Sequence, residues 1–284
     1  MMNGHIKDNI KNTHKSMIIK YLIKNEEFFI NILDKFNNDY SKIPNSINFY
    51  PFINNDCIDS LIVFSNDGYF YPLIKDKYIK ESSQFFIKNI SKIFSIYGHL
   101  DIVNILLKEI NKPYRYKNEY YVMKLVKKNF TNYKFSLDNY YCIHGEEKHF
   151  PKIKDMQFLY HKEEVYCDNS FYPYQAEMLS LKKNLKTNIN YIVFTNDEKN
   201  IAVSKANVNG ESPNYFQLGG IYTRKEFRNK GLSKLCLSYF IDHIFSKTKK
   251  KGIILYVKKD NTPAIKLYEK LGFTYQYESI LCYY

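Results

Sequence analysis

The sequence contains no tryptophan and is short of cysteine, proline and glycine, with 5, 8 and 10 of these among 284 residues. The cysteine count is odd and no Cys-x-x-Cys pair occurs, which argues against a disulfide framework or a zinc knuckle. No apolar run approaches the roughly 18 residues that a membrane-spanning helix needs. The polar first residues lack the apolar segment of a signal peptide. We therefore predict a cytoplasmic protein without a membrane partner.

One short segment, "CIHGEEKH", brings Cys142, His144 and His149 together as residues that can ligate metals. A structural zinc site needs four ligands at a characteristic spacing, and no fourth ligand follows this segment. We predict a polar linker here and no metal site.

Positive charge is in excess, with 42 Lys and Arg against 29 Asp and Glu and a formal net charge of +13. Such an excess can indicate nucleic-acid binding, yet the lysines are spread along the whole chain. The densest cluster, at 247–251, is short and follows a predicted helix, whose C-terminal end favours cations. Nucleic acid is therefore kept only as an alternative partner.

The length and the 45% hydrophobic content favour two domains. Apolar residues recur at helical spacing in 17–36 and 99–110, and the runs "SLIVF", "YFYPLI" and "YYVMKLV" are typical of strands. These patterns predict a smaller N-terminal α/β domain over 17–130. The mixed-charge segment 131–152 is predicted to be a connector that ends at Pro151.

The remaining residues, 153–284, show a clearer alternation of strands and helices. Strands are predicted at "NYIVF", "NIAVSKANV", "YFQLGGIYT" and "GIILYV", and "FTYQYESILCYY" fits two more. Helices are predicted at 155–165, 175–186 and 231–246, and from Pro263 onward. This order predicts an α/β (α+β) fold with a mixed, partly parallel sheet covered by helices.

The stretch "GGIYTRKEFRNKGLSKL", 219–235, joins an apolar strand to an amphipathic helix through a basic turn. The first N–H groups of a helix lack partners and carry partial positive charge, so they suit a phosphate. Gly231 allows close approach of the backbone, and Arg228 and Lys230 add charge. The turn is therefore suited to a pyrophosphate, although it lacks the GxxxxGK[ST] pattern of a P-loop.

A second segment, "LYVKKDNTPAIKLYEKLGF", follows at 255–273. Thr262 suits a helix N-cap, Pro263 suits the first helical position and Gly272 suits the C-terminal cap. Ala264 and Tyr268 lie four residues apart and share a helix face. The small side chain leaves a slot beside the phenol.

Residues 216–273 closely resemble the GNAT superfamily of acyl-CoA-dependent N-acetyltransferases. The family's pyrophosphate motif is R/Q-x-x-G-x-G/A, and this chain reads Arg-Asn-Lys-Gly-Leu-Ser at 228–233, with Ser at the last small position. The family's later segment, N-x-x-A-x-x-L-Y-x-x-x-G-F, is matched from Asn261 to Phe273. The preceding strands resemble a subgroup that reads V-x-K-A … Q-x-G-G-V-Y-T-x-P-E-Y-R-G-K-G, with Lys225 in place of Pro. The first 130 residues resemble that subgroup's N-terminal half, a degenerate GNAT-like unit.

The resemblance implies that acetyl-CoA, as acyl-donor co-substrate, lies along the strand that ends at Thr223. Its pantetheine amides would pair with Ile221 and Thr223, and the N–H of Ile221 or Tyr222 would polarise the thioester carbonyl. Tyr268 would be the catalytic acid that protonates the leaving sulfur. The residues implied to bind the cofactor are Ile221, Tyr222, Thr223, Arg228, Asn229, Lys230, Gly231, Leu232, Ser233, Asn261 and Ala264.

The implied reaction is N-acetyl transfer to a primary amine of a small molecule or peptide, by direct attack in a ternary complex. The N-terminal domain is predicted to shape the acceptor site without binding CoA. The general base stays open, because the strand offers Tyr215 and Gln217 where many GNATs carry Glu. The candidates are Glu163, Glu164, Glu177 and the C-terminal carboxylate.

A catalytically weak acyl-CoA-binding or regulatory module, and a nucleic-acid-associated basic protein, stay open as alternatives. The acyl-chain preference is also left open, and so is the choice between a monomer and a homodimer.

Overall fold

A computed structural model describes residues 12–130, 135–165 and 173–284. Its helices are α1 (Asn12–Lys24), α2 (Glu26–Leu33), α3 (Ile79–Asn89), α4 (Leu100–Ile110), α5 (Phe150–Tyr160), α6 (Tyr174–Thr187), α7 (Leu232–Lys247) and α8 (Thr262–Lys270). Its strands are β1 (Ile47–Asn54), β2 (Cys57–Ser65), β3 (Tyr69–Leu73), β4 (Ser95–His99), β5 (Tyr116–Val126), β6 (Tyr140–His144), β7 (Asn190–Thr195), β8 (Ala202–Glu211), β9 (Tyr215–Thr223), β10 (Gly252–Lys258) and β11 (Thr274–Tyr283). Among the residues described, no helix has the length and apolar character required to cross a membrane.

The chain forms two compact units whose sequence ranges interleave. Unit 1 contains the residues up to Val122 together with Val257–Asn261 and Tyr275–Tyr284, and unit 2 contains Met123–Tyr256 and Thr262–Thr274. These ranges come from contacts within the folded chain. The predicted domain boundaries, 17–130, 131–152 and 153–284, stay a prediction.

Unit 1 is built on strands in the order β1-β2-β3-β4-β11, followed by the first part of β5. The pairings from β1 to β11 in this order are antiparallel except between β3 and β4, which run parallel. Strand β11 thus joins this sheet, with Ser279–Tyr283 registered against β4. Helices α3 and α4 cover the sheet with a core that includes Phe70, Phe86, Ile96 and Ile280.

Unit 2 carries the strand order β10-β9-β8-β7-β6, with the end of β5 beside β10. The β9–β10 pair is parallel, whereas β8 pairs antiparallel with both β7 and β9, and β6 antiparallel with β7. Helices α5 and α6 pack on the sheet through a buried cluster that contains Met156, Leu181, Ile192 and Tyr222. Helix α7 packs against β7 and β8.

The mixed α/β class predicted from the sequence is confirmed, and three segments differ from the prediction in detail. Residues 131–152 contain β6, which pairs with β7 along its whole length. Helix α5 begins at Phe150, so Pro151 lies in its first turn, where the missing N–H of proline costs no hydrogen bond. The C-terminal segment forms one strand, β11, because no Gly, Pro or turn dipeptide interrupts it.

Candidate functional site

The parallel pairing of β9 with β10 stops partway along β9. Residues 215–218 are registered against 252–255, and the register ends at Leu218. Gly219 and Gly220 follow, the β8–β9 ladder shifts register here, and Gly220 has a φ of 58°. Such a bulge bends the strand. From Gly219 onward, no strand among the described residues pairs with the edge of β9 opposite β8.

The direction of the backbone amides past the bulge follows from a hydrogen bond at the end of β9. The Arg224 N–H donates to the Val203 carbonyl of β8 at 3.0 Å. Because alternate N–H groups of an extended strand point the same way, the N–H of Tyr222 also faces β8. The N–H groups of Ile221 and Thr223 then face the opposite edge. Of the two donors proposed for the thioester carbonyl, this geometry favours Ile221.

The turn into α7 has the backbone shape that its sequence indicates. Gly231 is the N-cap in the left-handed region, with φ 77° and ψ 6°, and Asn229 also has a positive φ of 63°. Helix α7 follows with sixteen residues, so its first N–H groups are free of intrahelical partners. The Ser233 hydroxyl lies 2.8 Å from that of Thr223, which in turn lies 2.8 Å from that of Ser204. This hydroxyl chain ties the turn to β9 and β8.

Arg228, predicted to add charge for a phosphate, is held by protein groups. Its Nη2 lies 2.7 Å from Oε2 of Glu163, and its Nε donates to the Thr223 carbonyl at 3.0 Å. The other oxygen of Glu163 accepts from the Tyr222 hydroxyl at 2.8 Å. Burial raises the pKa of Glu163, but the bonds from Arg228 and Tyr222 outweigh this and hold the pKa below its ordinary value. Glu163 is therefore an ionised partner of Arg228, which makes it a poor general base.

Tyr268 is fixed at the end of α8 by the cap that the sequence indicates. Gly272 has a φ of 90°, its N–H donates to the Glu269 carbonyl at 2.9 Å, and the Phe273 N–H donates to the Tyr268 carbonyl at 3.0 Å. This is the Schellman pattern, completed by ring contact between Tyr268 and Phe273. The Tyr268 side chain is buried, and burial raises its pKa. The phenol is thus protonated and able to donate at neutral pH.

The other predicted residues are placed as follows. Ala264 lies on α8 one turn before Tyr268, and Leu232 is buried at the start of α7. The Lys230 ammonium lies 5.1 Å from the centre of the Phe227 ring. Asn261 belongs to unit 1, and its N–H donates to the Lys258 carbonyl at 3.0 Å.

The structure adds a buried polar group that the sequence patterns did not single out. His161 begins a π-helical turn, His161–Val165, that continues α5. Its Nδ1 lies 3.3 Å from Oε2 of Glu177 and its Nε2 lies 2.8 Å from the amide of Gln157. The carboxylate favours a charged ring, but burial, with a smaller effect of the Lys205 charge, lowers the pKa of His161 to about 4. The ring is therefore neutral at neutral pH, with Nδ1 facing the Glu177 carboxylate.

His149 and Cys236 make contacts with other parts of the chain. His149, from the segment considered for metal binding, accepts a hydrogen bond from the Glu146 N–H at 2.9 Å. Within 12–130, 135–165 and 173–284, no group of three or more His, Cys, Asp or Glu side chains is arranged to hold a metal ion. Cys236 is buried on α7, and burial raises the pKa of its thiol, which suits a packing role.

Comparison with known proteins adds to this geometry. Residues 156–273 match the sequence profile of the Acetyltransferase (GNAT) family. No curated protein matches the chain by sequence.

Solved structures extend the likeness along the chain. A Drosophila protein matches with a TM-score of 0.66 at 10% identity, over 97% of both chains. A tandem GNAT protein from the clavulanic acid biosynthesis pathway matches with a TM-score of 0.58 at 8% identity, over 94% of this chain and 93% of that one. A GCN5-related N-acetyltransferase from Kribbella flavida matches with a TM-score of 0.55 at 10% identity, over 79% and 86%. At such identities the likeness shows the fold, and the predicted GNAT fold is confirmed.

Proposed function

We propose that this protein is an acyltransferase that moves an acetyl group from acetyl-CoA to a primary amine, because residues 156–273 match the Acetyltransferase (GNAT) family. The acceptor belongs to a small molecule or a peptide, and its amine attacks the thioester directly within a ternary complex. The observation that carries the proposal is the edge of β9 after Leu218, with which no strand of the described residues pairs, next to the glycine-capped turn into α7.

The pantetheine arm is an extended chain with two amide groups, and it would pair with this edge as an added strand does. The N–H groups of Ile221 and Thr223 supply donors at the alternate spacing that such a chain requires. Gly219 and Gly220 present no side chain that would block the approach. A β carbon at Gly220 would lie only 1.8 Å from Oδ1 of Asn207, so glycine is required there on the protein side as well.

The pyrophosphate would bind the amides of 229–233 at the start of α7. The left-handed backbone at Gly231 and the free N–H groups of the first helical turn favour an anion. Arg228 is already neutralised by Glu163 at 2.7 Å. The attraction to phosphate would therefore come mainly from the backbone N–H groups and from Lys230.

In the reaction, the neutral amine attacks the thioester carbonyl carbon, the C–S bond breaks and the thiolate takes up a proton. The Ile221 N–H would stabilise the negative charge that develops on the carbonyl oxygen. Tyr268, buried and protonated, would give its proton to the sulfur, and the proton that the attacking nitrogen loses as the amide forms would pass through solvent and restore the phenol.

The test has two parts. Isothermal titration calorimetry with acetyl-CoA measures binding, and release of the CoA thiol measures turnover against a panel of amines, polyamines, amino acids and aminoglycosides. Binding together with amine-dependent thiol release supports the proposal. Binding without turnover on any acceptor would favour a regulatory acyl-CoA-binding module. Failure to bind acetyl-CoA would contradict the proposal altogether.

A further inference from the structure

Lys205, in the middle of β8, is a lysine in an environment that usually excludes lysine. It is only 3% exposed, and it lies opposite Tyr222 in the β8–β9 register. Its Nζ donates to the Gly220 carbonyl at 2.8 Å and stands 5.0 Å from the centre of the Tyr160 ring. Lysines are almost never buried to this extent unless they are paired, so this arrangement requires an explanation.

The groups that face Lys205 do not neutralise it. Tyr160, from α5, is a neutral phenol whose pKa burial raises to about 12. His161, on the turn after α5, is a neutral imidazole. Cys236, from α7, is a thiol whose pKa is raised by burial, and Tyr222 donates its hydroxyl to Glu163.

No carboxylate lies within 4 Å of the Lys205 ammonium in the part of the chain that the structure describes. Burial accordingly lowers the pKa of Lys205 to about 7. The ammonium therefore depends on the Gly220 carbonyl and the Tyr160 ring for its stabilisation.

The carbonyl that Lys205 binds belongs to the peptide group that carries the Ile221 N–H. The Gly220 C=O and the Ile221 N–H belong to the same trans peptide group, so they point in opposite directions. A donor on the carbonyl polarises the peptide and strengthens its N–H as a donor. Lys205 thus holds this peptide from its carbonyl side and leaves the Ile221 N–H on the other.

We propose that Lys205 is a positioning residue for acyl transfer: its ammonium orients and polarises the Gly220–Ile221 peptide, so that the Ile221 N–H becomes a fixed and stronger donor to the thioester carbonyl oxygen. This inference rests on the proposed function. Loss of a direct oxyanion donor typically costs about 10²–10³-fold in kcat. An indirect loss through the peptide should be smaller, and we expect roughly a 10- to 100-fold fall in kcat for Lys205→Met.

The thioester carbonyl itself reports the effect without any acceptor. In the complex with [1-¹³C]acetyl-CoA, a hydrogen bond to the carbonyl moves its ¹³C resonance downfield, and Lys205→Met should reduce this shift. In the wild type the shift should also diminish as the pH rises through about 7, because the ammonium loses its charge. Lys205→Arg should keep the shift at every pH, because arginine stays protonated.

Lys250→Met is the matched control. Lys250 is also largely enclosed, with a side chain 11% exposed, and also donates to backbone carbonyls, those of Ser212 and Pro213, although it is in addition paired with Glu211 at 2.7 Å. It lies in unit 2 but outside the proposed site. Its replacement should leave the ¹³C shift and kcat unchanged.

The outcomes separate this inference from the function on which it rests. A wild type that binds no acetyl-CoA contradicts the proposed function. A wild type that binds and turns over, with equal ¹³C shifts in wild type and Lys205→Met, overturns only the role of Lys205. A carbonyl shift that grows as the pH rises also overturns that role, since it would mean that the neutral amine is the active form. If Lys205→Met does not fold, the pH titration of the wild type alone still decides.

Discussion

Gly231 is the position at which one side chain tests the proposed phosphate site most directly. Its φ of 77° is unfavourable for other residues, by roughly 1–2 kcal/mol. A β carbon there would also lie 3.3 Å from Cζ of Phe135, which must give way slightly. We expect Gly231→Ala to fold with its free energy of unfolding lowered by about 1–2 kcal/mol, which corresponds to a fall in Tm of several degrees.

Gly231→Glu adds a negative charge to the same backbone. If the new carboxylate lies about 5 Å from a phosphate charge, an effective dielectric constant of about 20 gives a repulsion of about 3 kcal/mol. That is more than a hundredfold in Kd for acetyl-CoA. Because the pyrophosphate carries more than one charge, binding should fall below detection.

The assay is calorimetric titration with acetyl-CoA, alongside thermal unfolding of each variant. Gly68→Ala is the control for backbone strain, because Gly68 has a φ of 86° in unit 1 and a β carbon there would lie 2.9 Å from the Lys92 carbonyl oxygen. We expect that control to lose at least as much stability as Gly231→Ala and to keep its affinity for acetyl-CoA. A folded Gly231→Glu protein with wild-type affinity would refute the placement of the pyrophosphate on this turn.

Three further predictions follow from individual residues and segments. Tyr268→Phe should lower kcat by about 10²-fold with little change in the KM for acetyl-CoA, and a variant that keeps more than about half of kcat would leave Tyr268 with a packing role. The pKa of His161 is lowered to about 4 by burial and the Lys205 charge. The neutral ring therefore contributes up to about 3 kcal/mol to the free energy of unfolding above pH 6.5, and this contribution is lost as the pH falls towards 4. His161→Gln should flatten that dependence in unfolding measured between pH 7 and pH 5, and an unchanged slope would contradict it. A fragment of residues 150–284 should be insoluble, because it lacks β6 and separates β11 from β4; a soluble, active fragment would show otherwise.

The features that could be predicted from the sequence are those that depend on neighbouring residues. The turn at 228–233 and the cap at Gly272 are local, and their glycines have the positive φ values that the sequence indicates. Helix α7 was predicted within one residue at each end, because its apolar spacing and its flanking glycine agree. The continuous strand β11 was predicted as two, because a run of aromatic and polar residues without a turn signal does not show where pairing continues.

The contacts that join distant parts of the chain could not be predicted in this way. Glu163 and Arg228 are 65 residues apart, and no spacing rule connects them. The π-helical turn that carries Glu163 has no sequence signature comparable to a cap. Lys205 did leave a signal, a lone cation inside the apolar run "AVSKANV". The burial of Lys205 beside α5 could not be predicted from this signal, because it is visible only in the folded chain.

The site must meet two requirements that conflict in an ordinary sheet. An edge that accepts an extended ligand has to be unpaired, yet an unpaired edge is flexible and tends to join other strands. In unit 2, side chains that contact β9 supply the rigidity that a second strand would give. Lys205 holds the Gly220 carbonyl, and the Ser204 and Ser233 hydroxyls hold that of Thr223. The donors that face the free edge are therefore fixed before a ligand arrives, which is the condition under which backbone N–H groups stabilise a developing charge most effectively.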